Sequence, residues 1–351
     1  MIKLDLQKKM GKLKVIVLMG GKTPEHEISL ITGREVVRNL NKSKYEALPV
    51  VISRSGTKWQ LVSPDKLLTF PDPLSLKGTG KELVTSFEKE LEGIKSINRT
   101  HADVCFIAMH GPFGEDGTVQ GMLELAGMPY TGPGVLASAL GMDKILFRKV
   151  MTAENLPIPT YSVVRDGESL EKIKKELGDP PYFVKPHNQG SSVGASIVKN
   201  KKSLKKALNL AFKYSNLALV DEYIMGRELT CGVLGNSKPH ALPVVEIIPR
   251  KGEFFDYQSK YSESGAEEIV PAKISKSLTE KIQDLGIKVY KALGCKGFSR
   301  VDFILKNKSP IVLEINTIPG LTPMSLLPKA AKAKGISYSK LLDKIINYAI
   351  G

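Results

Sequence analysis

The sequence predicts an α/β fold of more than one domain that opens on a parallel sheet. Through the first third, apolar runs fit for buried strands alternate with helical patterns, and the runs end in glycines or polar loops. The length of 351 residues is enough for two or three domains. "LKVIVLMGG" (13–21) is a buried parallel strand ending in glycines. A helix follows from about Glu27 to Leu40, then a strand at "EALPVVIS" (46–53), and "DVCFIAMHG" (103–111) is another apolar strand. This alternation puts function at the C-terminal ends of the strands, where the loops "GGKTPEHEIS" and "HGPFGEDG" stand. Residues 57–100 are irregular and carry no motif.

Beyond the Gly/Pro-rich "MPYTGPG" (128–134), one helical stretch runs through "VLASALGMDKILFRKVMTAENL". "PYFVKP" (181–186) is a short strand that leads into the Gly/Ser loop "HNQGSSVGASIV", and "LALVDEYI" (217–224) is a strand with acidic residues at its end. The polar, aromatic segment 254–274 reads as a long loop. "CKGFSRVDFIL" (295–305) and "IVLEINTIPG" (311–320) form an antiparallel hairpin. There is no internal repeat or low-complexity tract.

Composition excludes several classes. Hydrophobic content of 42% and charged content of 25% describe an ordinary globular chain. Three scattered cysteines do not make a disulfide framework or a zinc site, and a reducing, cytoplasmic setting fits them. The N-terminus lacks the pattern of a signal peptide, and no run has the length of a transmembrane helix. The net charge of +15 is spread along the chain with no nucleic-acid module, so neither nucleic acid nor membrane is an expected partner.

The chemistry concentrates in a few places. Glu314 and Asn316, two residues apart on a strand, face the same way. A buried carboxylate needs a positive partner. If Asp302 sits across the hairpin, three oxygen-bearing side chains converge as a hard divalent cation requires. Against this, Asp302 could face the surface and Glu314 be salt-bridged, an alternative supported by Arg300 on the same face two residues before Asp302. In the loop after Lys185, Gly190 and Gly194 bracket Ser191, Ser192 and Val193, and backbone amides there can cradle phosphate, although most such stretches are plain turns. Lys185 on its apolar strand needs an anion such as a nucleotide phosphate, or else lies on an edge facing solvent. "VDEYIMGRE" is either a plain strand and turn or an adenine-binding hinge with Glu228 on the ribose. His110 stands at a strand end, and the glutamates of "TPEHEIS" are equally an acidic helix start.

Taken in order, "GGKTPEHEIS", "HGPFGEDGTVQG", "GMDK", "YFVKPHNQGSSVG", "DEYIMGRE", "FFDYQSKY", "SRVDF" and "LEINTIPGLTPMS" resemble the D-alanine–D-alanine ligases of the ATP-grasp superfamily. The resemblance runs from about residue 13 to 350. It implies a three-domain ATP-grasp fold with an N-terminal Rossmann-like domain (1–132), a central lobe (133–224) and a C-terminal lobe (225–351) carrying the metal and substrate site. It also implies ATP-dependent ligation of two D-alanines through D-alanyl phosphate, for peptidoglycan precursor synthesis, by a cytoplasmic homodimer. A D-alanine–D-lactate ligase, another ATP-grasp ligase or a catalytically silent nucleotide-binding protein are the alternatives; phosphate release read with product mass separates them.

Carried over by motif, Asp302, Glu314 and Asn316 resemble the ligands of two Mg²⁺ ions, with Mn²⁺ able to substitute. Lys144 and Lys185 match phosphate-contacting lysines, Ser192 belongs to the phosphate loop, and Lys260 matches the lysine of a mobile loop. Glu222, Tyr223 and Ile224 resemble the adenine hinge, to within one position because Asp221 precedes them, and Glu228 matches the ribose contact. Glu25 matches the residue on the ammonium of the first D-alanine, with Ser191 and Tyr261 linked to it and His110 nearby. Arg300 with the Gly320 amide resembles the oxyanion site, and Ser325 and Leu326 match contacts to the second carboxylate. The loop of Lys260 and Tyr261 is expected to close as a lid. Its tyrosine favours the dipeptide over the ester as product.

Overall fold

In the computed structural model, which describes residues 11–76, 90–91, 100–168, 170–190, 192–249 and 266–351, the apolar run Val15 to Met19 is wholly buried in β1 (Leu13–Gly20). Such a run suits a strand covered on both faces. Helix α1 (His26–Asn39) packs against it. Strand β2 (Tyr45–Ile52) pairs with β1 in parallel. The stretch expected to be irregular holds short elements instead: β3 (Trp59–Leu61), α2 (Pro64–Thr69), a 3₁₀ turn at Pro73–Leu76, and β4 (Glu90–Leu91). They are too short for a periodic signal, yet Ser63 before Pro64 caps α2 by accepting from the Lys66 amide. Strand β5 (Val104–Ile107) pairs with the other side of β1, giving the order β4-β3-β2-β1-β5 with a parallel β2-β1-β5 centre.

After α3 (Thr118–Leu125), the stretch expected to be one helix divides into α4 (Val135–Met142) and α5 (Lys144–Ala153). Asp143 is the reason. Its backbone is extended, and its carboxylate accepts from the Ile145 and Leu146 amides at 2.9 and 3.0 Å, capping α5 and ending α4. A second sheet follows from β6 (Tyr161–Arg165), α6 (Glu171–Leu177), β7 (Tyr182–Pro186), β8 (Ser196–Val198), α7 (Lys201–Phe212) and β9 (Leu217–Glu222). Its order is β6-β9-β7-β8, antiparallel throughout, so β7 is interior and Lys185 is not on an edge.

The third sheet takes β10 (Arg227–Leu234), β11 (His240–Ala241), β12 (Val245–Pro249) and β13 (Ala266–Ile269), then, after α8 (Lys276–Ala292), the hairpin β14 (Phe298–Lys306) and β15 (Ser309–Asn316). Its order is β13-β12-β10-β14-β15, with β11 beside β10. The expected hairpin is present and antiparallel. The end of the expected 254–274 loop is edge strand β13, held to β12 in antiparallel register; residues 250–265 lie outside the described ones. Helices α9 (Leu326–Ala333) and α10 (Tyr338–Ile350) close the chain.

The first sheet shares a core with one side of the third, the other side of the third has a second core, and the second sheet has its own. Leu341, Leu342, Ile345 and Ile346 of α10 bury in the core of the first sheet. Ala137, Phe147 and Met151 of α4 and α5 bury with β10, β14 and α8. This places α4 and α5 between the sheets, where Lys144 opens α5. Among the described residues, no helix is long and apolar enough to cross a membrane.

Candidate active site

The hairpin holds the centre. Asp302 on β14 lies opposite Glu314 on β15, and Arg300 lies opposite Asn316. The period-two spacing therefore does bring Asp302, Glu314 and Asn316 to one face. Asp302, however, is already engaged. Arg300 donates to its two oxygens through Nε and Nη2, both at 2.8 Å, Thr230 Oγ1 donates at 2.6 Å, and Asn316 Nδ2 donates at 2.9 Å. The positive partner of Asp302 is thus Arg300, and Asp302 does not face the surface as the alternative to a metal had it. Glu314 Oε2 stands 3.8 Å from Lys144 Nζ. Among the described residues, no three His, Cys, Asp or Glu side chains group to hold a metal. The donor chemistry of two carboxylates and a carboxamide still fits a hard cation, which would compete with Arg300 for Asp302.

Two pockets flank this centre. The first lies between the second and third sheets and is lined by Lys144, Lys185, Ser192, Glu222, Tyr223, Ile224, Glu228, Arg300, Asp302 and Glu314, with Phe183, Leu229, Ile247 and Phe303 as apolar wall. Every described residue expected at a nucleotide is present there. Lys144 Nζ donates to the Gln189 carbonyl at 2.7 Å, tying the start of α5 to the Gly/Ser loop. In that loop Ser192 takes a left-handed backbone, φ 58°. Lys185 has an anionic partner in the chain itself, Asp221, whose Oδ2 lies 3.0 Å away. Burial pushes the Asp221 carboxyl up, but Arg148 and then Lys185 outweigh it and hold it below the usual carboxylate range. Glu222 accepts from the Thr160 amide at 2.8 Å.

The second pocket is lined by Glu25, His110, Glu115, Asn316, Gly320, Ser325 and Leu326, and so takes in all the residues expected at the amino-acid substrates that are described. Glu25 is buried at the start of α1. Beside it Gly111 has φ +71°, and a Cβ there would meet Glu25 Oε2 at 2.7 Å, so glycine is required for this approach. Glu27 is not part of the pocket lining and pairs with Arg54. His110 is buried, with Nε2 against Thr32 Oγ1 at 2.8 Å and Nδ1 facing the Ile318 carbonyl at 3.2 Å and Glu115 at 3.4 Å. Burial pushes its imidazole down, but Glu115 and then Glu25 prevail and hold it above the ordinary value. Burial raises the Glu115 carboxyl, against the opposing pull of His110. Ser325 Oγ sits 2.8 Å from Thr322 Oγ1 at the start of α9, and the space a Cβ on Gly320 would need is taken by Ser325 Oγ at 2.9 Å.

Lys144, Arg300 and Glu314 line both pockets. A nucleotide in one and a small acid in the other would meet at these three side chains. Ser191, Lys260 and Tyr261 lie outside the described residues. Glu115, Thr230 and Arg148 carry contacts here that no motif assigned to them, and Asp221 entered the sequence reading only as the residue preceding the hinge. Glu115 stands inside the quoted "HGPFGEDG", and its signal was present; Arg148 and Asp221 meet only in space.

The chain matches the family model "D-ala D-ala ligase N-terminus" over residues 14–133 and "D-ala D-ala ligase C-terminus" over residues 150–347. It is 42% identical over 357 aligned positions to a D-alanine--D-alanine ligase of Thermoanaerobacter sp. (strain X514), covering 97% of each chain. Among solved structures it is similar to the D-alanine-D-alanine ligase from Coxiella burnetii, with TM-score 0.83, 34% identity, and 97% of this chain and 94% of that chain covered. It is also similar to the VanG D-Ala:D-Ser ligase from Enterococcus faecalis, with TM-score 0.80, 33% identity, and 97% and 100% coverage. A D-alanine--D-alanine ligase from Bacillus anthracis complexed with ATP gives TM-score 0.74, 32% identity, and 96% and 97% coverage. The fold is accordingly that of the ATP-grasp enzymes. On family models matched over most of its length and full-length relatives of this identity, the chain belongs to the D-alanine–D-alanine ligase family.

Proposed function

We propose that this chain joins two D-alanines into D-alanyl-D-alanine, cleaving ATP to ADP and phosphate, as a step in making peptidoglycan precursors. One observation carries the proposal: two separate pockets share Lys144, Arg300 and Glu314 at their junction. A ligase needs such a junction, because a carboxylate must be phosphorylated in one place and attacked by an amine in the same place. ATP lies in the first pocket with Lys144, Lys185 and Ser192 on its phosphates, Glu222, Tyr223 and Ile224 on adenine, and Glu228 on ribose. Glu25 and His110 hold the first D-alanine, and Ser325 and Leu326 the carboxylate of the second.

The carboxylate of the first D-alanine attacks the terminal phosphorus of ATP, forming D-alanyl phosphate and ADP. The lysines offset charge on the transferring group. The amine of the second D-alanine then adds to the acyl carbon, and phosphate leaves. Arg300 and the Gly320 amide stabilise the oxyanion of that addition. Asp302, Glu314 and Asn316 would hold Mg²⁺, which supplies further positive charge beside the phosphates. The roles that the family resemblance implies for Ser191, Lys260 and Tyr261, a link to Glu25 and exclusion of water, fall on residues outside the described ones. The domains we assign are 1–132, 133–224 and 225–351, and the working form is a cytoplasmic homodimer.

Phosphate release with D-alanine, ATP and Mg²⁺, read with product mass, tests this. D-alanyl-D-alanine in step with phosphate is the expected result. Absence of that dipeptide under turnover overturns the reaction. Mainly ester from equal D-alanine and D-lactate at neutral pH overturns the second substrate alone.

A further inference from the structure

Arg148 is among the largest fully buried side chains, 1% exposed, and no step above uses it. Its guanidinium donates to Asp221 Oδ2 at 3.0 Å and Oδ1 at 3.4 Å, and to the Leu313 and Val312 carbonyls at 2.7 and 3.4 Å. These acceptors belong to two sheets. Asp221 stands at the end of β9, and Leu313 directly precedes Glu314 on β15. Lys185 of β7 shares Asp221 Oδ2 at 3.0 Å. One carboxylate therefore serves two cations, and the buried cluster carries a single positive charge in excess.

Such an excess is costly in a buried place unless another anion reaches it. Lys185 and Asp221 line the first pocket while Arg148 lies behind them, so the open side of the cluster is the pocket. The geometry points to Arg148 as a positioning residue for the nucleotide, acting through Asp221. By sharing that carboxylate it keeps Asp221 from neutralising Lys185, so the three-residue cluster turns one unneutralised positive charge toward the phosphates of ATP. Through the Leu313 carbonyl it holds that charge in register with Glu314. The inference rests on the first pocket being the ATP site.

The test compares ATP with adenosine, which has the base and ribose but no phosphate charge, by calorimetric titration of the full chain. Arg148→Met leaves Asp221 and Lys185 as a neutral pair, and adding Asp221→Asn returns the single excess charge on Lys185. Expected are ATP binding about ten-fold weaker in Arg148→Met, adenosine within about two-fold of wild type, and ATP recovered to within about three-fold in the double variant. Equal weakening of ATP and adenosine, or a double variant no better than Arg148→Met, overturns the inference. Should Arg148→Met fail to fold, Arg148→Lys keeps the charge but not the two-oxygen span, so it is read on the ratio of ATP to adenosine affinity: a ratio within about three-fold of wild type is expected, and a fall of about ten-fold in that ratio overturns the inference too. Wild-type titration separates the two levels. No ATP binding overturns the site and the inference together, whereas binding without recovery in the double variant overturns the inference alone.

Discussion

Replacing Arg300 with lysine separates its structural and chemical work. In the wild type Nε and Nη2 each reach one oxygen of Asp302 at 2.8 Å, with the two side chains 13% and 18% exposed. A lysine ammonium is a point charge and cannot span both oxygens. The fold should tolerate the change, because Asp302 keeps Thr230 Oγ1 at 2.6 Å and Asn316 Nδ2 at 2.9 Å. The structural loss is one hydrogen bond to a charged group, worth about 1.5–3 kcal/mol when buried and less at this partial exposure. The chemical loss is larger. Arg300 lines both pockets, and removing one donor aimed at a developing oxyanion costs about 10²–10³ in kcat. We expect kcat to fall by about 10² with KM for ATP within about three-fold, measured by coupled ADP release on protein whose thermal unfolding remains cooperative. A folded variant that keeps wild-type kcat, or that raises KM for ATP with kcat unchanged, refutes the oxyanion role.

Glu314→Gln keeps the shape of a side chain common to both pockets and removes its charge. Near-complete loss of ligation is expected, with little change in melting temperature because Lys144 retains the Gln189 carbonyl; wild-type turnover would count against the metal assignment. His110 yields a pH signature. Its value is raised in the folded state, so its stabilising contribution is complete below its unfolded value near 6.5 and is lost as pH rises through the folded value. The stability lost in His110→Gln should therefore be greater at about pH 6 than at about pH 9 in denaturant titrations, and a pH-independent difference would rule out the paired imidazolium.

How much was legible depended on how local the physics is. Strand β1 announces itself because a strand covered on both faces must be apolar at every position, as Val15 to Met19 are. Glu314 and Asn316 share a face by pleat alone, and the hairpin needed only short-range pairing. The break at Asp143 was harder to see. Aspartate in an amphipathic run passes for a surface residue, and only its caps to Ile145 and Leu146 reveal a new helix start. Glu115 was in view within its motif, but its weight comes from burial beside His110, which composition does not record.

The order of the motifs along the chain by itself determined the family, the reaction class and many of the charged and polar side chains at both pockets, because those residues keep fixed local spacing on strand ends and turns. Only the tertiary structure decided which charges neutralise one another. Arg148 and Asp221 are 73 residues apart, and Asp302 chooses Arg300, Thr230 and Asn316 from three strands. Ion pairing depends on distance and burial, and both are set when β9, β14 and β15 are brought together; sequence separation carries neither.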